Sequence, residues 1–286
     1  MIELKKIVIV VVIFEKDLRN SQTLESLSGQ INNYANDIGV DLVVCDNSLV
    51  SRFSDEYFRS YPSYFNVIYN STPDNKSLRE IYNSVVDGLG FNEIVVWLDD
   101  DTSLDARYLD ELILASDKHK NINLFLPRVY VNKSLYSPYF SFLFFGRAIT
   151  RPPAGLISSK YIGAINSGMA IRSDFFFLNR FKYPSFVEFY GTDKVFCDFF
   201  MNTDKELCVL DVDIDHDVTC HPANSSNEQY LASLMKVDLF WRKYYKGNKL
   251  VYYMYCVYIF CYCLKVAFKR KSALFIKLPF VSNMYE

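Results

Sequence analysis

The residues of this sequence best suited to chemistry are acidic, and the densest group of them follows a run of apolar residues. The run IVVWL leads directly into Asp99, Asp100 and Asp101. Three carboxylates removed from water would repel one another strongly unless a positive charge lay among them. Because side chains alternate along a strand, Asp99 and Asp101 would share a face and offer hard oxygen ligands to a divalent cation. The triplet alone also allows a helix N-cap without a metal, at Asp101 or one of the two residues after it.

Three further candidates lie elsewhere in the chain, and each has a second interpretation. Asp193 precedes the apolar residues of a predicted helix, so it is either a functional carboxylate or an acid stabilised by the helix dipole. His216 lies among aspartates in DVDIDHDVT, whose charges favour its protonated form, so it is either a ligand or a surface cation. Asp46 ends the segment VVCD and is either a ligand-binding acid or part of an ordinary turn.

The elements that must position these residues alternate between strand and helix. Ile7 to Phe14 is nearly continuous Ile and Val, the pattern of a strand buried on both faces, and no signal-peptide cleavage site follows it. Further strands are predicted at 41–45, 66–69, 93–98 and 123–127, and helices at 75–89, about 104–116 and around Leu24, Leu27 and Ile31. This alternation predicts a parallel, doubly wound sheet. Ligands of such sheets bind beyond the carboxyl ends of the strands, where Asp46 and the three aspartates also lie.

Beyond Tyr130 the sequence becomes irregular and aromatic, with YSPYFSFLFFGR followed by an Arg-Pro-Pro segment. This pattern predicts a mobile or acceptor-facing loop.

The composition is that of a folded globular chain without a preference for nucleic acid. Of 286 residues, 50% are hydrophobic and 22% are charged, which excludes extended disorder and a charged coiled coil. Thirty-one basic residues against 33 acidic residues give a net charge of −2, so the overall charge does not indicate a nucleic-acid partner. The seven cysteines lack C-x-x-C spacing, which favours neither disulfides nor a zinc knuckle and makes a reducing cytoplasm the expected compartment.

The C-terminal segment, residues 241–286, differs from the rest in charge. From Arg242 to Glu286 there are nine basic residues and one acid, whereas Leu250 to Leu264 carries no formal charge. This uncharged run is shorter than the roughly 20 residues that a membrane-spanning helix needs, and its tyrosines prefer a membrane interface. We therefore predict a helical segment in peripheral contact with the anionic inner face of the cell membrane. The alternative is a C-terminal helix packed on the core.

Taken in order, these segments resemble family 2 glycosyltransferases of the GT-A fold, particularly bacterial rhamnosyltransferase-like members, over about residues 7–248. IVVWLDDDT resembles the family's strand and D-x-D motif, whose last acid binds the Mg²⁺ or Mn²⁺ of the nucleotide-sugar diphosphate. The resemblance thus implies that Asp101 is a metal ligand and that Asp99 or Asp100 faces the ribose or supports the site. VVCDNS resembles a strand ending in an acid that contacts the base, which implies this role for Asp46.

NKSLREIYN is similar to the family's N-x-G-x-x-x-x-x-N helix start, which implies nucleotide-sugar contacts for Asn75 and Asn83. The sequence departs from the family at Ser77, where glycine is usual.

The later motifs of the family are matched in the second half of the chain. AINSGMAIRSDFF resembles the strand that lines the acceptor side, which implies that Asn166, Ser167 and Gly168 lie near the sugar. FYGTDKVFCDFF resembles the helix start that supplies the catalytic base, matching Asp193. DVDIDHDVT resembles a strand ending in the histidine that completes metal binding, matching His216. Arg172 or Lys194 is a candidate for an additional contact to phosphate.

The resemblance implies an α/β fold of the GT-A (Rossmann-like) type, with a mostly parallel sheet flanked by helices and a C-terminal helical tail. The catalytic domain is predicted over 1–240, with a nucleotide-sugar half at about 1–127 and an acceptor half at about 128–240, followed by the segment 241–286. The implied activity is inverting transfer of a hexosyl or rhamnosyl group, with Mn²⁺ or Mg²⁺, from a UDP- or dTDP-sugar. The implied acceptor is a hydroxyl of a lipid-linked glycan in O-antigen or capsule synthesis, on the cytoplasmic side of the membrane.

Two other functions fit parts of the pattern. A nucleotidyltransferase also uses strand-end aspartates and a metal, but it would have a basic, glycine-rich phosphate loop after the first strand, where the sequence reads FEKD. A non-catalytic sugar- or partner-binding module of the same fold is the other alternative, and the departure at Ser77 keeps it open.

Overall fold

The computed structural model of the chain describes residues 4–30, 33, 38–59, 61–216 and 226–278. The strands are β1 (Lys6–Ile13), β2 (Gly39–Asp46), β3 (Phe65–Ser71), β4 (Glu93–Asp99), β5 (Thr102–Ser103), β6 (Leu124–Val131), β7 (Ser134–Ser137), β8 (Tyr139–Phe142), β9 (Phe145–Arg147), β10 (Gly155–Ser158), β11 (Ile162–Gly163), β12 (Met169–Arg172) and β13 (Glu206–His216). The α-helices are α1 (Gln22–Ser28), α2 (Asp55–Phe58), α3 (Leu78–Gly88), α4 (Tyr108–Lys118), α5 (Ser173–Asn179), α6 (Thr192–Thr203), α7 (Asn227–Tyr245) and α8 (Lys249–Arg270), with 3₁₀ turns at Leu18–Asn20 and Ala273–Lys277.

The central sheet is mostly parallel and has the order β10-β13-β6-β12-β4-β1-β2-β3. Strand β1 pairs in parallel with β2 on one side and β4 on the other, and β2 continues in parallel to β3. The predicted α/β class and the C-terminal helices are therefore confirmed.

Strand β1 shows why the N-terminal run forms a central strand. Ile7 and Ile9 point into one apolar core, whereas Val8 and Val10 point into a second core on the opposite face of the sheet. A strand covered on both faces needs apolar residues at every position, which explains the unbroken run. Removing each such side chain from water contributes about 1.5–3 kcal/mol.

The antiparallel strand β12 is the main difference from the predicted parallel sheet. It lies between β4 and β6 and runs antiparallel to both. Gly168, at a φ of +81°, turns the chain into this strand, and its N–H donates to the carbonyl of Trp97 on β4 at 2.9 Å. This entry places the residues just before β12 beside the carboxyl end of β4.

The aromatic region after Tyr130 is built from short strands, so the prediction of a loop was wrong for much of it. That it faces the acceptor stays a prediction. Strands β8, β9 and β11 form a separate three-stranded sheet with the order β11-β8-β9. These strands have two to four residues each, too few for a period of two to stand out in the sequence.

The C-terminal helices α7 and α8 pack on each other around a buried ion pair. Arg242 Nε lies 2.9 Å from Asp238 Oδ2, and the Tyr255 hydroxyl of α8 donates to Asp238 Oδ1 at 2.9 Å. Helix α7 is continuous across residues 240 and 241, so the predicted domain boundary lies inside a helix. Helix α8 has 22 residues and is long and apolar enough to cross a membrane by length and composition alone.

Candidate active site

Two carboxylates and an imidazole converge where β4 ends. Asp99 is the last residue of β4, the chain turns at Asp100 and Asp101, and β5 then pairs with the end of β13, with His216 opposite Thr102. This pairing carries His216 to the aspartates, and Asp101 Oδ1 lies 3.3 Å from His216 Nδ1. Asp99, Asp101 and His216 each offer one ligand atom, and these atoms lie within 4.8 Å of one another. We call these three residues the Asp-Asp-His cluster.

The electrostatics of the Asp-Asp-His cluster fit a divalent cation. Burial raises the pKa of Asp101 to about 7, and the negative charges of Asp99 and Asp100 add to this shift. Asp101 Oδ1 is buried and, apart from the His216 imidazole at 3.3 Å, has no polar partner among the described residues. A buried carboxylate oxygen without a donor is a costly arrangement that a bound cation relieves. Mixed carboxylate and imidazole ligands are compatible with Mn²⁺ and with Mg²⁺.

Thr23, near the start of α1, and Lys16, which precedes this helix, supply two of the polar groups beside the aspartates. The Thr23 hydroxyl donates to the carbonyl of Asp99 and accepts from the Thr102 N–H at 2.9 Å, which fixes the turn after β4. The Asp100 carboxylate is directed to Lys16, at 2.9 Å. Asp99 and Asp101 therefore belong to the cluster, whereas the charge of Asp100 is neutralised by Lys16.

The segment before β12 connects the cluster to α6. The Ser167 hydroxyl donates to Asp99 Oδ2 at 2.9 Å and lies 3.4 Å from His216 Nδ1. The Asn166 side-chain amide donates to the Thr192 hydroxyl at 2.8 Å. Thr192 is the first residue of α6, the helix that carries Asp193. Ser167 therefore contacts the cluster, while the preceding residue, Asn166, contacts α6. Asn166 Oδ1 is buried and has no hydrogen-bond partner among the described residues.

Asp193 is a second carboxylate centre, separate from the cluster. Its Oδ1 accepts from the Lys194 N–H at 2.7 Å. Burial raises the pKa of Asp193 to about 6, the Lys194 N–H counteracts this shift, and the charge of Asp99 adds to it. A partly buried carboxyl group with a pKa close to neutrality is suited to accept a proton in this pH range.

A glycine at the start of α6 fixes the position of Asp193 and carries our first prediction. Gly191 has a φ of +83°, and a Cβ built on it would lie 2.2 Å from the Phe240 ring. The left-handed backbone and the overpacking predict that Gly191→Ala loses about 2–4 kcal/mol of unfolding free energy, measured from urea unfolding midpoints. Gly88→Ala is the control, because nothing lies within 4 Å of its added Cβ. Equal midpoints for the two variants would contradict this packing.

Asp46 lies at the end of β2, and both of its oxygens accept hydrogen bonds within the protein. Oδ1 accepts from the Ser48 N–H at 2.9 Å, and Oδ2 accepts from the Arg52 N–H at 2.8 Å and from the Tyr69 hydroxyl. Burial acts to raise the pKa of Asp46, but the hydrogen bonds from Ser48, Tyr69 and Arg52 outweigh it and hold the pKa below its usual range. Asp46 thus organises the loop after β2 through hydrogen bonds that favour its ionised form, and its contact with a base stays a prediction.

The predicted N-x-G-type segment forms the start of α3. Asn75 is exposed at a φ of +48°. Ser77, in place of the expected glycine, is the N-cap in a capping box with Glu80. Asn83 is bonded to backbone, since its amide donates to the Tyr183 carbonyl at 3.0 Å and its oxygen accepts from the Tyr183 N–H at 2.9 Å. The nucleotide roles of Asn75 and Asn83 stay predictions.

The two candidates for an added phosphate contact are engaged elsewhere. Arg172 is buried and donates to the carbonyls of Ile122 and Ser116 at 2.8 and 2.6 Å. The Lys194 ammonium is paired with Asp198. Arg172 thus binds the end of α4 and the segment after it, and Lys194 forms an ion pair within α6.

Of the hydroxyl groups around the site, that of Ser167 belongs to a predicted site residue, whereas site roles for Thr102, Thr23 and Thr192 were not predicted. Thr102, whose hydroxyl lies 3.2 Å from His216 Nδ1, directly follows the aspartates, so its position in the sequence was a usable signal. Thr23 and Thr192 reach the site only through the packing of α1 and α6, and the sequence contains no short motif that marks them.

Comparison with known proteins shows the fold. No protein-family model matches the sequence, and no curated protein matches it. Among solved structures, S. aureus TarS with UDP-GlcNAc is similar with a TM-score of 0.56 and 15% identity, over 82% of this chain and 66% of that chain. GalNAc-T7 with UDP, GalNAc and Mn²⁺ has a TM-score of 0.56 and 12% identity, over 86% of this chain and 51% of that chain.

A further structure, S. aureus TarS 1-349, has a TM-score of 0.53 and 13% identity, and the chain covers 65% of its length. This chain therefore spans just under two thirds of the TarS fragment and about half of GalNAc-T7. These neighbours are glycosyltransferases of the GT-A type. The predicted GT-A fold is confirmed, and at these identities the likeness extends to the fold alone.

Proposed function

We propose that this protein is a metal-dependent, inverting glycosyltransferase that uses a UDP- or dTDP-sugar as donor. The observation that carries the proposal is the Asp-Asp-His cluster at the carboxyl end of β4 in a GT-A fold, with the separate carboxylate of Asp193 connected to it through Asn166 and Ser167. The similar structures support a nucleotide-sugar donor, since TarS was crystallised with UDP-GlcNAc and GalNAc-T7 with UDP, GalNAc and Mn²⁺.

Asp99, Asp101 and His216 are the proposed ligands of Mn²⁺ or Mg²⁺. When bound, this ion acts as a Lewis acid that neutralises charge on the departing nucleoside diphosphate. Asp193 accepts the proton of the acceptor hydroxyl while the hydroxyl oxygen forms the new bond to the anomeric carbon. The bond between the anomeric carbon and the diphosphate oxygen breaks, and its electron pair leaves with that oxygen. This single displacement inverts the anomeric centre.

The other site residues divide into a donor side and an acceptor side. We assign Asp46, Asn75 and Asp100 to the base and ribose end of the donor. Asn83 acts on the donor by fixing the Tyr183 backbone, to which both of its amide atoms are bonded. The acceptor side consists of residues 166–168, where Gly168 lets the chain turn beside β4.

The finer assignment follows the sequence motifs. We propose that the chain is a rhamnosyltransferase-like or hexosyltransferase-like member of family 2, with a catalytic unit at 1–240 and a C-terminal segment at 241–286. The proposed acceptor is a lipid-linked glycan of a cell-surface polysaccharide such as O-antigen or capsule. The proposed location is the cytoplasmic side of the cell membrane, where the basic C-terminal segment meets anionic lipid.

The pH dependence of the reaction tests the role of Asp193. Because only the ionised carboxylate accepts a proton, kcat/KM is expected to fall about tenfold per pH unit below the Asp193 pKa of about 6. The free energy of unfolding is expected to change with pH in the opposite direction. The folded protein holds this proton more tightly than the unfolded chain, so stability falls as pH rises from about 4 to about 6. Initial rates and urea midpoints measured across this range check both signs. A rate independent of pH there would contradict the assignment.

A thermal-shift panel tests the donor. UDP-sugars and dTDP-sugars, each with Mn²⁺ or with EDTA, are expected to raise the Tm by several degrees only when the metal is present. GDP-sugars are the matched control. Stabilisation by nucleoside triphosphates together with sugar phosphates, and not by nucleotide sugars, would favour the nucleotidyltransferase. The absence of any nucleotide effect would favour the binding module.

A further inference from the structure

Helix α8 has an apolar face on each side. Its inner face, with Tyr255, Ile259 and Cys263, is buried against its neighbours in the C-terminal core. Its outer face is also apolar, with Val257 65% exposed and Phe268 83% exposed. The outer face consists of Leu250, Tyr253, Met254, Val257, Phe260 and Phe268. Leu250, Met254, Val257 and Phe260 are three or four residues apart, Tyr253 adjoins Met254, and Phe268 follows Phe260 by eight residues. All six therefore lie on one side of a helix about 33 Å long.

The β8–β9 hairpin extends this stripe with residues far away in the sequence. Phe144 is buried and lies 5.0 Å from the Tyr258 ring of α8, measured between ring centroids. The neighbouring Phe145 lies 5.1 Å from the same ring. Phe142 and Phe145 expose nearly half of their surface. We call the outer face of α8 together with Phe142 and Phe145 the outer apolar surface.

The charged residues of α8 and the residue that follows it are all positive. Helix α8 contains four cations and no acid, and Lys271 follows it. Lys249, Lys265, Lys269 and Lys271 are exposed. A second copy of the chain docked on this surface would oppose these cations with its own, which is unfavourable. Anionic lipid headgroups are complementary to them, and Tyr253, which is 67% exposed, favours the same interface.

The inner face of α8 argues against a helix that crosses the bilayer. The Tyr255 hydroxyl donates to Asp238, which is paired with Arg242 of α7. A spanning α8 would either leave this contact or carry a charged pair into hydrocarbon, and both are costly. A helix fixed on the protein by one face presents only its other face to lipid.

We propose that the outer apolar surface lies in the headgroup region of a membrane that contains anionic lipids, with the β8–β9 hairpin inserted beside α8. The hairpin belongs to the predicted acceptor half, because β8 pairs with β11 and β11 contacts α6, the helix that carries Asp193. This contact with lipid therefore brings the acceptor side of the site to the membrane. The consequence for a lipid-linked acceptor rests on the proposed function, whereas the lipid contact itself does not.

Vesicle flotation of the full chain tests the proposal. The chain is expected to float with phosphatidylcholine vesicles that contain about 30% phosphatidylglycerol, to float at least tenfold less with pure phosphatidylcholine, and to be released by about 0.5 M NaCl. Val257→Glu/Phe268→Glu and, separately, Phe142→Ser/Phe145→Ser are each expected to reduce flotation at least tenfold. Leu178→Glu is the matched control, because Leu178 is 77% exposed on α5 and lies outside the outer apolar surface. This variant should float like the wild type.

Each outcome decides part of the proposal. No flotation with anionic vesicles, or unchanged flotation of the α8 variant, overturns it, and loss in the α8 variant alone overturns the role of the hairpin. A concentration-dependent dimer of the wild type that Val257→Glu/Phe268→Glu abolishes identifies a second copy as the occupant instead. If either double variant fails to fold, the single changes Phe268→Ser and Phe142→Ser replace it. A protein that floats but shows no nucleotide effect on Tm keeps the lipid contact and rejects the proposed function.

Discussion

Replacing Asp193 with asparagine is expected to lower kcat by about 10²–10⁴-fold, the usual contribution of a positioned general base. The amide has the shape of the carboxylate but accepts no proton at these pH values. Its oxygen can still accept the hydrogen bond from the Lys194 N–H, which holds the side chain at the start of α6. The KM for the donor should change little, because Asp193 lies outside the Asp-Asp-His cluster. Initial rates of nucleoside diphosphate release give both constants.

The stability of the Asp193→Asn variant is expected to equal or exceed that of the wild type at neutral pH. Burial disfavours the ionised form of Asp193 in the folded protein, so removing the charge relieves a cost. Asp198→Asn is the control on the same helix, because Asp198 accepts from Lys194 and from the Tyr244 hydroxyl. That variant should lose stability by leaving a buried lysine without its partner, with a smaller effect on kcat. A folded Asp193→Asn protein with near-native kcat would show that the base lies elsewhere.

The strands that position the site could be predicted because their signals are local. Strands β1, β2 and β4 each contain a short apolar run rich in Val or Ile, and such runs indicate buried strands whatever the rest of the fold is. Their parallel order follows from the helices between them. The position of Asp46 and Asp99 at the carboxyl edge therefore followed from the sequence without knowledge of the tertiary structure.

The remaining parts depend on pairings between distant segments. Strand β12 is antiparallel to β4 because the chain enters it at Gly168 from the carboxyl edge of β4. Its four residues contain no sequence signal that would predict this direction. His216 meets Asp101 through the pairing of β5 with β13, and β5 has only two residues. The resemblance implied that both residues bind one metal ion, but the strand pairing that brings them together was not predicted. Ser77 shows the reverse case, in which a departure from the expected glycine has a local explanation in the capping box.

The C-terminal segment shows a third limit of sequence reasoning. The uncharged run is 250–264, whereas the helix extends over Lys249–Arg270, because charged residues do not end a helix whose long side chains reach solvent. Which face of α8 is buried was not evident, since apolar residues occupy both faces. The buried Asp238 and Arg242 distinguish the faces in the structure, by fixing Tyr255 toward α7.

Replacing Asp101 with alanine is expected to have opposite effects on stability and on metal binding. Without added metal, the variant should be as stable as the wild type or more stable, because it lacks a buried carboxylate next to Asp99 and Asp100. With Mn²⁺, the wild type should gain stability and the variant should not. The Kd for Mn²⁺ should rise at least tenfold. The value of kcat/KM should fall by about 10³-fold or more, because the variant binds less of the metal that neutralises charge on the departing diphosphate. Calorimetry with Mn²⁺ alone and initial rates measure these effects.

Asp100→Ala separates the ligand role of Asp101 from the summed charge of the triplet. Both substitutions remove one negative charge beside the same strand end, but the Asp100 carboxylate is paired with Lys16, whereas Asp101 contacts His216. If the metal responds only to net charge, the two variants should lose Mn²⁺ affinity equally. If it is held by ligand atoms, Asp101→Ala and His216→Ala should lose it together while Asp100→Ala keeps most of it. An Asp101→Ala protein that bound Mn²⁺ and donor like the wild type would remove the metal assignment, and the raised pKa of Asp101 would then reflect burial and neighbouring charge alone.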